Sequence, residues 1–504
     1  MKKAIFYFTI LLLFSTCKKE SLYKVATPTF SPTDTSHFVS AEVTINCETE
    51  DAAIYYTVDG SDPTRSSRRY LNPVTIESST TIKAFAVRSG MEDSRIASKI
   101  YSIDAAVEWQ ILYGGSEDDE FNSIQQTSDG GYIAAGSSSS TDIAGTTNHG
   151  ENDCYVVKLS SDGETEWQKL YGGNGYDCAY DIKQTGDGGY IIIGASTSAD
   201  ISGTTYRGEE DCYIIKINSG GDIEWQNLYG GNGYDHANYI KQTDGGGYLT
   251  AYLSRSSSTD NYTIKIVELN SDGSVASTKS YYGLSSCFDD EEYARFVEVT
   301  DDGGCIITGA LAYQIPGNSY YSRPWRVFIV KLDSDAGKEW QQATDALCPF
   351  SDGGIHDMIQ TSDDKYFLIG RAEESDVDDG YLIKVNSGGS ITSELTFGGS
   401  GNDCLNSISS AGSGYYITSG YSYSTNIGST TNSGSSDAYL MNFYSTGSIR
   451  WQQLYGGSSI DYFNSALKTS DGGYIAAGSS FSDDISGTSY HGSGDGYIVK
   501  ISSD

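Results

Sequence analysis

Basic residues, histidine and proline are all scarce in this chain. Lysine and arginine total 32 against 67 acidic residues in 504, a formal net charge of -35. The acids are spread along the chain, so its surface repels nucleic acid, whose recognition needs cations against phosphates. For the same reason it resists lying flat on an anionic bilayer. Five histidines without a ligand cluster, and nine cysteines without a CxxC pair, argue against a zinc site. No GxSxG, HExxH, Walker or Rossmann pattern stands in a supportive context. The N-terminal apolar run, Ala4 to Phe14, is too short to span a bilayer as a helix. Disorder is excluded by aromatics at 12% and by apolar runs that recur throughout.

What is abundant points to β-structure. Gly (58) and Tyr (40), with frequent Ser and Thr and only 7 Pro, suit short strands joined by tight polar turns. The N-terminus reads as a signal peptide over residues 1–16: Lys2 and Lys3, the apolar run, then Ser15-Thr16 before Cys17. These residues resemble a relaxed bacterial lipobox, with Phe14 at the usual leucine position. The resemblance implies lipidation of Cys17, export and anchoring to a bacterial membrane, followed by a polar tether over 17–26. Of the other cysteines, Cys154 and Cys212 share one place in successive repeats, as do Cys178 and Cys404, which suits buried small hydrophobes.

Residues 27–103 form a separate unit. Ala41-Cys47, Ala53-Val58, Val74-Glu77 and Thr80-Arg88 are β-prone runs punctuated by Asp59-Gly60 and Pro63, which predicts a small antiparallel sandwich. The runs Ala53 to Thr64 and Ser79 to Gly90 resemble the chitobiase/hexosaminidase C-terminal-type accessory domain. In those enzymes the module is not where the reaction happens, so hexosaminidase activity is not implied, and Asp59 and Asp62 read as turn residues.

The remainder, 107–504, repeats seven times. Glu166-Trp167-Gln168-Lys169-Leu170-Tyr171-Gly172-Gly173 returns as Glu224 to Gly231, with further copies at Trp109, Trp340 and Trp451 and degenerate ones near Ser277 and Ser393. The second unit divides into strands at Ala179-Thr185 (a), Tyr190-Gly194 (b), Asp211-Ile217 (c) and Ile223-Tyr229 (d). The region opens on a lone strand d, Val107-Tyr113, and closes on a strand c, Gly496-Ile501. The predicted fold is therefore all-β: a small β-sandwich followed by a seven-bladed β-propeller closed by pairing its N- and C-terminal strands. The segments Tyr155 to Trp167, Tyr213 to Trp225 and Val327 to Trp340 resemble quinoprotein-type propeller repeats, in which the strand-d Trp packs between blades. No feature implies a bound quinone.

For function, the d–a and b–c loops of one face are long, and loops on a rigid scaffold carry recognition. The candidate ligand-binding residues are Tyr320, Tyr321 and Trp325 in an insertion of the fourth blade, with Tyr176, Tyr206, Tyr234 and Tyr490. No catalytic residue is nominated, because the acids mostly repeat from blade to blade. Aspartates recur at the start of strand a (Asp119, Asp177, Asp235, Asp403, Asp461) and of strand c (Asp153, Asp211, Asp260, Asp379, Asp437, Asp495). They read as loop-fixing carboxylates, with calcium as the sharper alternative and no other cofactor. The expectation is a non-catalytic, monomeric surface lipoprotein that binds a glycan or envelope protein. It touches the membrane only through its lipid. The alternatives are a propeller glycoside hydrolase or other glycan-active enzyme, and an envelope assembly factor.

Overall fold

A computed structural model describes residues 23–32, 36–37, 41–76, 80–103, 106–255, 263–282, 292–312, 325–348, 354–374, 377–412, 414–428 and 430–502. Cys17, Tyr320 and Tyr321 lie outside these residues. The described chain divides into two units. The first is a sandwich. One sheet orders Thr29–Ser31, Ala41–Asn46 and Val74–Ile76. The other orders Ser36–His37, Ala97–Ile103, Thr80–Val87, Ala53–Thr57 and Arg68–Arg69. Ile82, Ala84 and Ala86 alternate inward along one strand and bury with Val43, Ile45 and Tyr101, the period-2 pattern of a half-buried sheet. Asp59 closes a turn by accepting from Ser61 N at 3.0 Å, and Asp62 pairs with Lys83 at 2.9 Å; both are turn residues, as their sequence context predicts.

The second unit is seven antiparallel sheets. Blade 1 runs Asp119–Gln126, Tyr132–Ser138, Asp153–Leu159 and Thr165–Tyr171, strands a to d. Blade 2 runs Asp177–Gln184, Tyr190–Ser196, Asp211–Ile217 and Ile223–Tyr229, within two residues of the predicted boundaries. Blade 3 has its strand a broken into Tyr234–His236 and Ile240–Gln242. Blades 4, 5 and 6 begin at Glu292–Val299, Ile355–Gln360 and Asp403–Gly412. Blade 7 takes Asp461–Lys468, Tyr474–Ser480 and Asp495–Ile501 from the C-terminus and its fourth strand, Val107–Tyr113, from the start of the repeats. The closing register pairs Gly496 with Tyr113 and Lys500 with Trp109.

Neighbouring blades are held together by side chains that recur. Trp109, Trp167, Trp225, Trp340 and Trp451 on strand d meet the first strand-b tyrosine of the next blade, Tyr132, Tyr190, Tyr248, Tyr366 and Tyr474, at centroid distances of 5.3–6.2 Å. Gly163, at φ 82°, turns the c–d connection directly against the Trp109 ring; an added Cβ would meet that ring at 3.0 Å, so both backbone conformation and space call for glycine. Inside the blades, Lys158, Lys216, Lys331 and Lys500 are buried on strand c. Each ammonium lies 2.7–3.4 Å from one aspartate of the a–b turn and one glutamate of strand d. The ion pairs fasten the turn to the outer strand. At the same place blades 3, 5 and 6 carry Glu268, Lys384 and Asn442 without that pair of acids.

Candidate functional site: the central channel

A cavity of about 480 Å³ is lined by strand-a residues of six blades and by Asn238 and Tyr239 at the break in strand a of blade 3, which makes it the central channel of the ring. Strand a reaches into it because it bulges. Six of the seven strands shift register at the same place, as between Phe121 and Ser123 or Ala179 and Asp181. In blade 3 the strand breaks there instead. A bulge turns side chains away from the regular alternation, and here it points them at the axis.

Aligning the strands on the turn that follows puts Ser123, Asp181, Tyr239, Phe296, Asp357, Ser407 and Ser465 at one level. The serines are inter-blade clips. Ser123 Oγ accepts from Ile182 N (3.4 Å), Ser407 from Ala466 N (3.1 Å) and Ser465 from Ile124 N (3.3 Å), each reaching the next blade. Asp357 does the same through Oδ2 with Ile408 N at 2.8 Å. Asn406 and Asn464 add a second rung, donating to Phe463 O and Phe121 O at 3.0 and 3.1 Å. Blades 6, 7 and 1 therefore line the channel with small, spent polar groups.

Blades 2 to 5 are different. Asp181 Oδ1 accepts from Lys183 Nζ and from Ser123 Oγ, both at 2.9 Å. Lys183 also lies over the Tyr239 ring, 5.3 Å from its centroid. Glu298 stands on blade 4, at the level of Lys183 on blade 2. Burial pushes the Glu298 carboxyl well above the usual range, and the charge of Asp357 adds to the shift while Lys183 opposes it. Burial likewise raises Asp357, against the pull of the N–H groups of Ile408 and Met358 and of Lys183. Burial works against the charge on Lys183, but Asp181 outweighs it and raises that pKa. The arrangement is an ion pair beside two carboxyls that burial holds toward their neutral form.

Asp181, Lys183, Glu298 and Asp357 are not among the residues that the sequence reading nominates. A signal for them exists: at one repeat position serine gives way to Asp, Tyr, Phe and Asp over four consecutive blades. It becomes visible only when strand a is aligned position by position. The nearby Cys404 Sγ lies 3.4 Å from His356 Nδ1 and from Asn406 Oδ1, but Cys404 is buried and does not line the channel. Cys47, Cys154, Cys178, Cys212, Cys305 and Cys404 are not joined in disulfides, and all but Cys47 are buried.

The loop tyrosines are spread around the ring. Tyr176 and Tyr234 hold equivalent d–a positions one blade apart and are each 38% exposed, with Arg255 lying 5.4 Å from the Tyr234 ring centroid. Tyr206 and Tyr490 hold equivalent b–c positions in blades 2 and 7; their hydroxyls donate to Glu209 O (2.9 Å) and Ser493 O (2.6 Å), closing their own loops. Trp325 opens strand c of blade 4, pairing Ala312 on one side and Cys348 on the other. Among the described residues, repeating aspartates fix loops at both places. Asp177 Oδ2 accepts from Gly173 N and Ser198 Oγ, both at 2.7 Å, and Asp153 Oδ2 accepts from His149 N at 2.7 Å. Among the described residues, no three of His, Cys, Asp and Glu gather as a metal site would need.

Comparison with known proteins identifies the small unit more closely than the large one. Residues 33–98 match the chitobiase/beta-hexosaminidase C-terminal domain. No curated protein matches the chain. Among solved structures, the chain is similar to a protein of unknown function from Bacteroides caccae (10% identity, 69% of this chain and 94% of that one, TM-score 0.32). It is also similar to Sqt1 from Chaetomium thermophilum (11% identity, 84% and 89%, TM-score 0.41). A third is the polysaccharide lyase Uly1 (10% identity, 80% and 92%, TM-score 0.42).

Proposed function

We propose that this is a glycan-processing protein whose chemistry sits in the central channel. The observation that carries the reading is the set Asp181, Lys183, Glu298 and Asp357, gathered on three blades of a ring in which blades 6, 7 and 1 present serine and asparagine. Glycoside hydrolysis needs one carboxyl that holds a proton and one carboxylate. Glu298, raised by burial, suits the acid and would protonate the departing glycosidic oxygen. Asp181, charge-balanced by Lys183, suits the carboxylate that takes the proton of the attacking water as its oxygen bonds the anomeric carbon. Tyr180, Tyr239 and Phe296 line the same channel and supply apolar surface for a sugar to pack on. The match of residues 33–98 to an accessory domain of hexosaminidases fits a setting on glycans.

The test is a panel of glycosides and polysaccharides assayed with the wild type and with Glu298→Gln. The expected outcome is release of reducing ends from at least one substrate, lowered about a hundredfold or more by the substitution, the usual scale of general-acid catalysis. No release from any substrate would overturn it.

A binding role without catalysis is the second reading, favoured by the exposed rings of Tyr176 and Tyr234 on adjacent blades. Replacing both with Ala would then abolish capture of a glycan or envelope protein while channel substitutions leave capture unchanged. We also infer export and lipid anchoring from Lys2, Lys3, the apolar run and Cys17. Cys17→Ser should free the protein from membranes and abolish acyl labelling; retained labelling would refute this.

A further inference from the structure

The wall of the channel carries buried acceptors, and its lysine and three of its asparagine amides are already engaged. Asp181 is 6% exposed, and its Oδ2 is buried with no hydrogen-bond partner. One blade further on, Asn238 Oδ1 is also buried without a partner, and Asn238 lines the same cavity. Lys183 is committed to Asp181, while the amides of Asn122, Asn406 and Asn464 donate to carbonyls of neighbouring blades. Three carboxyls, Asp181, Glu298 and Asp357, thus line the channel with Lys183, and Lys241 lies near enough to act on Glu298. A buried acceptor left unmade is costly, and an added cation would favour the ionised form of the two carboxyls that burial holds toward neutrality. A ligand that brings hydrogen-bond donors and positive charge would suit both.

The form of that charge follows from the spacing. Among the described residues, no three such groups converge on a point as an ion would require. They surround a space of about 480 Å³ instead, large enough for an organic group. Lys183, 5.3 Å from the centroid of the Tyr239 ring, shows that an ammonium is accommodated beside an aromatic face at this level of the channel. We propose that the channel recognises a free primary ammonium group carried on a sugar, an amino-sugar unit of a glycan, through Asp181 with Glu298 and Asp357. The ammonium follows from the wall itself; the sugar rests on the function proposed above.

The experiment is calorimetry on the full chain with three probes: a glucosamine tetramer, its fully N-acetylated counterpart, and spermidine. Acetylation removes the charge and two of the donors while keeping the sugar. The expected result is that the free-amine tetramer binds about tenfold or more tightly than the acetylated one, the scale of one charge-assisted contact. Asp181→Asn should erase that ratio without weakening the acetylated tetramer. Glu298→Gln should reduce it, and serves in place of Asp181→Asn if that variant does not fold. Equal affinity for both tetramers, or no binding of any amine, overturns the proposal. Spermidine bound through Asp181 with neither tetramer bound would uphold the ammonium and overturn the sugar, separating this inference from the glycan reading.

Discussion

Strands b, c and d of this propeller repeat nearly residue for residue in several blades, whereas the innermost strands of blades 2 to 5 do not. On the outside, the same Trp–Tyr contact and buried lysine clamp recur in blades 1, 2, 4 and 7. On the inside, a run of serine clips in blades 6, 7 and 1 is interrupted by Asp181, Tyr239, Phe296 and Asp357. Repetition within one chain reports blade geometry, because every blade must solve the same packing problem. Departure from it marks positions where something else sets the residue. Burying three carboxyls on the axis is poor for stability, so their presence there is the stronger functional signal.

The contrast can be broken most severely at the seam. Deleting residues 495–504 removes the strand that pairs Tyr474–Ser480 on one side and Val107–Tyr113 on the other. The cooperative melting transition of the whole propeller should be lost, read by circular dichroism; an unchanged transition would mean the blades fold independently. Next in size is the clamp. Lys158→Ala leaves Asp129 and Glu166 without their shared cation and opens a buried site, and should cost about 2–3 kcal/mol in chemical denaturation. Glu268→Ala, at the equivalent but exposed place in blade 3, should fall within about 0.5 kcal/mol. Equal costs at the two sites would erase the distinction between clamped and unclamped blades.

Acidity separates the two kinds of carboxyl. Burial disfavours charge on Asp129, Asp187 and Asp471, yet hydrogen bonds and the clamp lysines hold them at about 2. Their contribution is present above the ordinary aspartate range and is lost as pH falls through 2. Burial drives Asp119 and Asp437 up to about 6, so their contribution is present below the ordinary range and is lost as pH rises through 6. Melting temperature should therefore rise as pH is lowered from 7 toward 4 and fall again below that. A monotonic decline from pH 7 downward would contradict the assignment. The smallest effect belongs to the channel: Glu298→Gln should leave stability within about 1 kcal/mol of wild type, or raise it, because a neutral amide relieves crowded carboxyls. Loss of several kcal/mol would make Glu298 a structural residue.

The same division separates the parts of the molecule that are legible in its sequence from those that are not. The Trp spacing, the Asp-Gly-Gly turns and the split blade at Val107 and Ile501 are local, periodic signals, and they place the strands, the ring and its closure correctly. Packing of Trp109 and Trp167 between blades is legible for the same reason: a bulky residue recurring at fixed spacing has a repeating neighbour. The channel is far less legible, because at its repeat position the residue type changes from blade to blade, Ser123 giving way to Asp181, Tyr239, Phe296 and Asp357, so no motif recurs. Their meeting depends on the bulge, which re-aims two residues of each strand and breaks the alternation on which pattern reading relies. The long loops also favour aromatics such as Tyr206 and Tyr490 as ligand contacts, yet their hydroxyls close their own loops.

The split seventh blade has a consequence for timing. Blades 1 to 6 are each contiguous in the chain, so each has its own strands as soon as it has been synthesised. The seventh cannot: Tyr497 meets Gln110 across 387 residues, and the arc stays open until the final strand arrives. Closing so long a loop is entropically the dearest contact in the molecule and should come last. Until then strand Val107–Tyr113 waits with an unpaired edge, and the axial channel has no complete wall. Activity that depends on the channel would then switch on only when Asp495–Ile501 has paired with Val107–Tyr113, making ring closure a checkpoint on assembly.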